Sequence, residues 1–564
     1  MSQTIADTLV KSLEQVGVKQ IFGLIGDSLN PLADAVQRSS IEWIGVRHEE
    51  GAALAASGQA KLTGKLAVCA GTTGPGSTHL VAGLYEAARD HAPVLAISGD
   101  MPRKFQGTDY IQSTKPDLLF RDVSLYSETI SEAEQASHLI HHAIAAAYAG
   151  RGVAHLTLPQ DMMIAKAFTH VNSIETLKPR SEFAASEEDI AKITHEIDQA
   201  NKIIIMCGAG CHGLANDLRE LSDKIKAPLI HSVKGKDIMP YDDAHWMGGI
   251  GMIGTKPVYN AVMNCDLLIM IGTDYPYSEY LPSKAKVIQI DERHEVLGRR
   301  APTMLGVLGS AGPTLKLLLN KVKSKNSDEF FKKLTQERHQ WDEMLDKQAD
   351  LTRSKDVIHP QAVARVVSDL AAPDAVFVFD TGLNTLWSGN WIRQKGCQRI
   401  IGSFNNAAVG TSVGQANGIQ VLDRRRQVIV LCGDGGFNML MGEFMTAVHH
   451  KLPIKIIIYN NSSFGLIRLE AESIGLAPFN KGIDFPNPDF AALARACGGH
   501  GFTAKKPGDL KEAISNALKV DGPAIVDAVV AANEVPNLPH LDMKVVGNVA
   551  IAKIKEAINS VMGS

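Results

Sequence analysis

The chain has 564 residues, too many for one hydrophobic core, and typical domain sizes suggest roughly three or four domains. It is 45% hydrophobic and 21% charged, with a net charge of −4, which is an ordinary composition for a soluble protein. There is no basic field and no long basic run, so nucleic acid is not an expected partner.

The sequence also bears on the cellular compartment. No apolar stretch reaches about 18 residues, which argues against a membrane span, and the N-terminus has the pattern of an amphipathic helix rather than a signal peptide. The seven cysteines lie mostly in apolar runs, which is typical of buried thiols in a reducing compartment. Cys207 and Cys211 lack a second Cys/His pair nearby, so zinc is not expected. These features predict a cytoplasmic protein.

The first third alternates predicted strands, at 20–25, 43–46, 66–70, 93–98 and 153–158, with predicted helices. This alternation favours a doubly wound parallel sheet, in which ligands bind at the carboxyl ends of the strands. For Glu49, at the start of a helix, capping that helix is the alternative role. For the glycines, the alternative is turn chemistry alone. The candidate residues at this edge are Gly26, Ser28, Glu49, Gly74, Gly76 and His79.

The middle third begins after a predicted linker at 168–186, which has little periodicity. A predicted strand at 202–206 precedes a GxGxxG at 208–213, which alone is a weak sign of a dinucleotide site. Further strands are predicted at 266–271 and 286–290. Asp291, at the end of the second, suits a hydrogen bond to an adenosine moiety, with helix capping as the alternative. A charged helix from 328 to about 355 ends this part of the chain.

The last third has predicted strands at 375–379, 399–403, 428–432 and 453–459. Gly433-Asp434-Gly435 follows the third strand, and a helix carrying Met439, Met441, Phe444, Met445 and Val448 is predicted before the fourth. Asp434 and Asn461, 27 positions apart, then both lie at strand ends. A carboxylate and a carboxamide suit Mg²⁺, and the glycines let backbone N–H groups approach a diphosphate.

This succession of GDG, helix, strand and Asn-Asn resembles the thiamine diphosphate and Mg²⁺ signature of the superfamily that includes pyruvate oxidase, acetolactate synthase and pyruvate decarboxylase. The resemblance covers about residues 3 to 535 and implies that Asp434, Asn461 and the Ser463 carbonyl bind Mg²⁺. The segment HEEGAALAASGQAKLTG implies that Glu49 contacts the aminopyrimidine ring of thiamine diphosphate and exchanges a proton with it. Val409 stands where a bulky apolar residue supports the bent form of this cofactor.

Three segments, GGIGMIGTKP, GTDYPY and QIDERHEVLG, resemble the flavin domain of pyruvate oxidases and related pyruvate:quinone enzymes. The segment SSFGLIRLEAE resembles the active-site helix of pyruvate oxidases and implies that Leu466 and Glu470 lie near the substrate, together with Gln112. Leu466 and Ile111 replace aromatic residues common in that family, which leaves the choice of 2-oxo acid open. The implied FAD contacts are Gly251, Met252, Ile253, Thr273, Asp274, Tyr275, Pro276, Tyr277 and Asp291.

We therefore expect an α/β protein of three doubly wound parallel-sheet domains. They are an aminopyrimidine-binding domain at 1–180, an FAD-binding domain at 188–345 and a diphosphate- and Mg²⁺-binding domain at 356–535, followed by a tail helix at 536–564. The tail carries an apolar stripe of Ile551, Ile554, Ile558 and Val561, and packing on the protein is favoured over lipid docking. Lipid docking would place the protein at the inner face of the membrane.

The resemblance implies oxidative decarboxylation of pyruvate to CO₂ and acetate or acetyl phosphate, with electrons passing to FAD and then to quinone or dioxygen. Family members assemble the active site between chains, so the expectation is at least a homodimer, with a homotetramer as the favoured state. Acetolactate synthase-type coupling of 2-oxo acids is one alternative. A non-catalytic, cofactor-binding homologue is the other, and the presence of Glu49 argues against it.

Overall fold

The computed structural model of the protein describes residues 3–167, 174–177, 182–537, 539, 548–549, 551–553 and 555–556. Within these ranges the chain forms three six-stranded sheets in which every strand pairs with its neighbours in parallel. Helices connect the strands, so the predicted fold class of three doubly wound parallel-sheet domains is confirmed. Across the described residues, no helix combines the length and apolar character needed to cross a bilayer.

The N-terminal domain contains six strands, which are β1 (Gln20–Gly23), β2 (Glu42–Gly45), β3 (Ala67–Gly71), β4 (Val94–Asp100), β5 (Tyr126–Thr129) and β6 (Val153–Pro159). Their order in the sheet is β2-β1-β3-β4-β6-β5. The inner strands β3, β4 and β6 are buried along their whole length, as expected for a sheet covered on both faces. The helices are α1 (Ile5–Gln15), α2 (Asn30–Gln37), α3 (Glu49–Thr63), α4 (Pro75–Arg89), α5 (Pro116–Leu119), α6 (Ala136–Ala149), α7 (Gln160–Met163) and α8 (Ile174–Leu177).

The middle domain has the strands β7 (Ile203–Cys207), β8 (Leu229–His231), β9 (Trp246–Gly249), β10 (Leu267–Ile271), β11 (Lys286–Asp291) and β12 (Leu305–Leu308). They are ordered β12-β11-β10-β7-β8-β9. The GxGxxG segment follows β7 and forms a short 3₁₀ turn before the next helix, as its position between strand and helix predicts. The helices are α9 (Glu187–Gln199), α10 (Ala215–Ile225), α11 (Lys256–Met263), α12 (Ala311–Lys321) and α13 (Glu329–Gln348).

The C-terminal domain has the strands β13 (Val376–Phe379), β14 (Arg399–Gly402), β15 (Val428–Gly433), β16 (Lys455–Asn460), β17 (His500–Ala504) and β18 (Ala524–Val529). They are ordered β14-β13-β15-β16-β18-β17. The helices are α14 (Pro360–Leu370), α15 (Leu383–Trp391), α16 (Ser412–Leu422), α17 (Asp434–Met439), α18 (Glu443–His449), α19 (Gly465–Ser473), α20 (Asn480–Ile483), α21 (Phe490–Ala496) and α22 (Pro507–Lys519).

The single helix predicted after Asp434 is wrong, because the structure has two short helices, α17 and α18, separated at residues 440–442. Leu440 leaves the helical region with φ −131° and ψ 36°, and Gly442 is the cap from which α18 restarts. Met439 and Met441, both assigned to the predicted helix, are about half exposed, at 53% and 45%. Two short helices therefore replace one amphipathic helix.

The N-terminal and C-terminal domains pack directly on each other through α3 and α16, two helices rich in small residues. A Cβ atom on Gly418 would lie 1.9 Å from the carbonyl oxygen of Ala55, and one on Gly58 would lie 2.6 Å from that of Gln415. Backbone approach at this distance requires glycine at both positions. The two domains thus share one continuous apolar core.

The described part of the tail lies against α19. Asn548 donates a hydrogen bond from its Nδ2 to the carbonyl of Ser473 at 2.9 Å, and the Lys553 Nζ lies 2.6 Å from a carboxylate oxygen of Glu472. Arg468 forms an ion pair with Glu556 at 3.1 Å. Of the predicted apolar stripe, Ile554, Ile558 and Val561 lie outside the described residues, as do parts of the predicted linker at 168–186.

Candidate cofactor sites

Asp434 and Asn461 open onto one cavity of about 270 Å³ at the carboxyl edge of the C-terminal sheet. Asp434 begins α17 directly after β15, and Asn461 follows the neighbouring strand β16, so the parallel pairing of these strands brings the two residues to one place. Ser463 lines the same cavity, as do Val409, Leu466, Glu470, Gly433 and Gly435. The structure therefore brings together the residues that the sequence predicts for the diphosphate half of the site.

Asp434 is almost fully buried, and protein groups already surround its carboxylate. Oδ2 accepts hydrogen bonds from the Ser462 N–H at 2.5 Å and the Asn487 side chain at 2.8 Å, and Oδ1 accepts one from the Gly435 N–H at 2.9 Å. Burial raises the pKa of Asp434, and these hydrogen bonds only partly oppose that effect. A nearby cation would favour the ionised carboxylate. Asn487 was not singled out by the sequence analysis.

The lining of this cavity fits Mg²⁺ together with a diphosphate. Its charged members among the described residues are Asp434, Glu470 and Glu534, with no lysine or arginine. An anionic diphosphate alone would meet only like charge, whereas a divalent cation held by oxygen ligands would offset that repulsion. Gly382 adopts a φ of +142°, and a Cβ atom on Gly435 would lie 2.4 Å from the Phe464 ring. Glycine is therefore required at both positions, by the backbone conformation at the start of α15 and by the packing of Phe464 at the start of α17.

Asp380 fixes the turn that carries Val409. Its Oδ1 accepts the N–H of Gly410 at 2.8 Å, and its Oδ2 accepts the Ser412 hydroxyl at 2.6 Å. Burial raises the pKa of Asp380, while these donors favour its charged form. The Asp380-Thr381-Gly382 strand end was visible in the sequence, but the partner turn 30 residues further on could not be identified from spacing alone.

A second cluster surrounds Glu49 in the N-terminal domain. Glu49 is 6% exposed, and its Oε2 lies 2.9 Å from Nδ1 of His79, whose ring stacks on that of His48 with centroids 4.4 Å apart. The side chain that caps α3 belongs to His48, whose Nδ1 accepts the Glu50 N–H, and Glu49 lies in the first turn of that helix. A Cβ atom on Gly76 would lie 3.2 Å from Oε1 of Glu49.

The other predicted residues of this domain surround the same strand ends. The Ser28 hydroxyl lies 2.8 Å from that of Thr72 and accepts the Thr73 N–H at 3.1 Å, and Gly26 packs on Thr72. Gly74, with φ +66°, lies against the backbone of Gln112. None of these residues, and neither Glu49 nor His79, lines the C-terminal cavity. Within one chain the two predicted half-sites are therefore separate.

A cavity of about 250 Å³ in the middle domain is lined by all of the segment 273–277, which comprises Thr273, Asp274, Tyr275, Pro276 and Tyr277. It is also lined by five basic residues that the sequence analysis missed, Arg89, Lys234, Arg293, Arg299 and Arg300. Positive charge of this density suits a ligand that carries phosphate. Arg299 and Arg300 follow β11 in a loop without periodicity, so no sequence pattern marks them.

The charges of this middle-domain cavity are partly paired. Burial opposes ionisation of Asp274, but the hydrogen bonds and charges of Arg299 and Arg300 outweigh it and lower the pKa of this carboxyl. Burial, reinforced by the charge of Arg293, lowers the pKa of His91 to about 4, so its ring is neutral at pH 7. His91 comes from the N-terminal domain, and the cavity therefore lies at a junction between domains.

Four predicted flavin contacts, Gly251, Met252, Ile253 and Asp291, do not line this cavity. Tyr275 covers Gly251, because a Cβ atom on this glycine would lie 2.0 Å from the tyrosine hydroxyl oxygen. Ile253 instead packs on Gly389 of the C-terminal domain. Asp291 is 5% exposed and accepts the Arg293 N–H at 3.0 Å, which is the local, capping-like contact given above as its alternative role.

The fold and these cavities define an α/β protein with a cavity lined by oxygen-bearing side chains at a strand edge and a basic cavity between domains. Family models for thiamine pyrophosphate enzymes match the chain in three segments. Thiamine pyrophosphate is another name for thiamine diphosphate. The N-terminal TPP binding domain matches residues 3–119, the central domain residues 190–318 and the C-terminal TPP binding domain residues 380–528.

Whole-chain relatives agree with these models. The Bacillus subtilis (strain 168) protein YdaP, which carries a provisional name as a thiamine pyrophosphate-containing protein, is 35% identical over 95% of this chain and 92% of its own. Pyruvate oxidase of Lactiplantibacillus plantarum is 31% identical over 93% of this chain and 88% of its own. The large subunit of acetolactate synthase isozyme 2 of Escherichia coli (strain K12) is 28% identical over 94% of this chain and 96% of its own. The chain belongs to the thiamine pyrophosphate-dependent enzymes.

Proposed function

We propose that this protein is a thiamine diphosphate-, Mg²⁺- and FAD-dependent oxidoreductase that decarboxylates pyruvate. Electrons pass to FAD and on to quinone or dioxygen, and the products are CO₂ and acetate or acetyl phosphate. The observation that carries the proposal is the presence, in one chain, of a cavity lined by Asp434, Asn461 and Ser463 and a basic cavity at 273–277. The likeness to a pyruvate oxidase along nearly the whole chain supports the same activity.

The residues have distinct roles in this proposal. Thiamine diphosphate, when bound, supplies a thiazolium ring that accepts the electrons released when a 2-oxo acid loses CO₂. Asp434 and Asn461, with the Ser463 carbonyl, hold Mg²⁺ and orient the diphosphate. Glu49 holds and moves a proton at Oε1, since its Oε2 is engaged by His79. Val409 and Leu466 supply apolar walls that exclude water from the reacting end of the cavity.

The proposed active site is completed by a second copy of the chain. Glu49 does not line the cavity that contains Asp434, so a glutamate of another subunit must reach the cofactor held there. Exposed apolar side chains near both half-sites are consistent with such a contact, including Ile111 at 74% and Ile467 at 51% exposure. The proposed state is a homo-oligomer of at least two subunits, with a tetramer as the favoured state.

Mixing two inactive variants tests this assembly. Glu49→Gln and Asp434→Asn each remove one half-site, and random mixing of dissociated subunits should restore up to about a quarter of the wild-type activity, because half of the dimers then carry one intact site. Each variant mixed with itself is the control. Recovery no greater than in the controls would mean that both half-sites act within one chain.

An acetolactate synthase-type coupling of two 2-oxo acids is the second candidate. Its support is the relative of that name, which aligns with 94% of this chain, and the presence of Leu466 in the cavity where pyruvate oxidases often carry an aromatic residue. A non-catalytic homologue is the third. It is disfavoured because Glu49 is buried and held by His79 in a defined orientation.

Anaerobic addition of pyruvate distinguishes the three functions. Bleaching of the yellow flavin absorbance with release of CO₂ supports the oxidoreductase. An unchanged flavin spectrum with acetolactate formed supports the synthase, and no change in either supports a binding role. Adding quinone or dioxygen after bleaching, with and without phosphate, then identifies the electron acceptor and the acyl acceptor. Protein that binds no flavin on reconstitution would refute the oxidoreductase proposal.

A further inference from the structure

Glu443 is a buried carboxylate of the C-terminal domain whose hydrogen bonds reach into the N-terminal domain. It begins α18, is 1% exposed and follows Asp434 by nine positions. Its Oε1 accepts the N–H groups of Arg47 and His48, each at 3.0 Å, and its Oε2 accepts the Thr446 hydroxyl at 2.8 Å. No family feature considered in the sequence analysis assigned a role to this residue.

These contacts lead directly to Glu49. Arg47 and His48 form the connection between β2 and α3, and Glu49 is the first residue of that helix. His48 caps α3, its ring stacks on His79, and His79 contacts Glu49 Oε2. Because the N–H groups at a helix start have no intrahelical partner, a buried acceptor placed there determines where the first turn lies. A shift of His48 would move both the backbone and the ring contact of Glu49.

The fit around Glu443 is close. A Cβ atom on Gly51 would lie 2.4 Å from Cδ of Glu443, so the first turn of α3 rests on the carboxylate itself. At the other end of α18, His450 Nε2 lies 3.0 Å from the Gly45 carbonyl, at the end of β2. Burial raises the pKa of Glu443, while the hydrogen bonds to it favour the charged form. The helix α18 therefore holds the connection between β2 and α3 from both sides.

We infer that Glu443 is a positioning residue for Glu49, an inference that rests on the proposed function of Glu49. The same unit, β15 to α18, carries Asp434 at the start of α17 and Glu443 at the start of α18. In the proposed oligomer Glu49 serves the cofactor held by another subunit. Glu443 thus links the diphosphate half-site of its own chain to the proton-transfer group that acts in the neighbouring active site.

Two conservative variants distinguish the effect of the Glu443 side-chain length from the effect of its charge. In Glu443→Gln the amide oxygen keeps its reach to both N–H groups, whereas Glu443→Asp keeps the charge but is one methylene too short. The readout is the rate at which C2 of bound thiamine diphosphate exchanges its proton for deuterium. We expect the aspartate variant to slow this rate at least about tenfold and the glutamine variant to stay within about threefold, because a misplacement of about 1 Å is costly.

A cofactor-free readout accompanies the exchange rate. Amide hydrogen exchange of the peptide covering residues 45–52, without cofactor, should accelerate in Glu443→Asp and remain protected in Glu443→Gln. The affinity for thiamine diphosphate with Mg²⁺ should change little in either variant, since Glu443 does not line the cavity. Thr446→Val, which removes the hydroxyl on the other carboxylate oxygen, is the matched control and should leave protection of 45–52 unchanged.

Three results would overturn the inference. Wild-type C2 exchange in Glu443→Asp, with Glu49→Gln slow, would show that Glu49 needs no support from Glu443. Slow exchange in Glu443→Gln with normal exchange in Glu443→Asp would show that charge, not position, matters. Normal exchange in Glu49→Gln would instead refute the proposed function of Glu49, and the inference with it, so the two failures are distinguishable.

Discussion

Lys236 is a buried cation whose removal should stabilise the protein in a pH-dependent way. It is 3% exposed, and its Nζ lies 5.3 Å from the centroid of the Tyr241 ring, which also contacts Arg338 at 5.3 Å and Arg393 at 5.0 Å. Burial lowers the pKa of Lys236 from 10.5 to about 7, against the opposing charge of Asp342. The two arginines form ion pairs, Arg338 with Asp342 at 3.5 Å and Arg393 with Asp346 at 2.8 Å.

The lowered pKa of Lys236 determines the sign of this pH effect. Between about pH 7 and the unfolded pKa of 10.5, the unfolded chain binds a proton that the folded protein does not, so this residue destabilises the fold, and less so as pH rises. Below about pH 7 the full penalty is present. One pKa unit corresponds to about 1.4 kcal/mol, so the penalty should shrink by about 2 kcal/mol from about pH 7.5 to about pH 9.

Lys236→Met removes the charge and keeps the length of the side chain. We expect the variant to be more stable than the wild type at about pH 7.5 and the difference in free energy of unfolding to narrow by about 2 kcal/mol, or about 2 °C in melting temperature, at about pH 9. Scanning calorimetry of both proteins at the two pH values measures this difference. Lys11→Met, at an exposed position of α1, is the control. A stability gap that stays constant or widens with pH would refute the reasoning.

Three further predictions follow from the site, the packing and the thiols. EDTA should release thiamine diphosphate, and retention of the cofactor in excess EDTA would contradict this. In Asp434→Asn, the Mg²⁺ concentration that restores half of the thiamine diphosphate binding should rise at least about tenfold, as measured by fluorescence titration. Gly418→Ala should cost about 1–3 kcal/mol or more in urea melts, because its Cβ would meet the Ala55 backbone, whereas Gly508→Ala, with open space around it, should not. Native protein should show one thiol that reacts rapidly with a disulfide reagent, lost in Cys397→Ser; a second equally fast thiol would count against the burial pattern.

The fold class could be predicted because its information is local. Buried parallel strands such as β15 and β16 are short apolar runs bounded by turn residues, and these runs were located to within one or two residues. Strands such as β5 and β8 escaped prediction for a physical reason. β5 has a partly exposed YSET sequence, and β8 has only three residues, so neither produces a periodic signal.

The C-terminal half-site was also accessible from the sequence, since parallel pairing of β15 with β16 necessarily brings Asp434 and Asn461 to one edge. The flavin-type contacts were accessible only in part. Thr273 to Tyr277 line a cavity, but most of the basic residues beside them come from loops, and Asp291 accepts a hydrogen bond from the nearby Arg293 N–H. Sequence spacing alone cannot predict where such loop residues lie, because their positions depend on how three domains meet.

Besides the shared apolar core, polar contacts that leave no periodic trace in the sequence also hold the domains together. Lys61 of α3 forms ion pairs with Glu86 and Asp90 and donates a hydrogen bond to the Gly402 carbonyl, while Lys234 of the middle domain pairs with Asp90 at 3.1 Å. A buried charge is tolerated only when paired, so each domain supplies groups that the others require. Lys234 also lines the basic cavity at 273–277. This ion-pair network between domains therefore shares Lys234 with the candidate flavin site, and a change in one should alter the other.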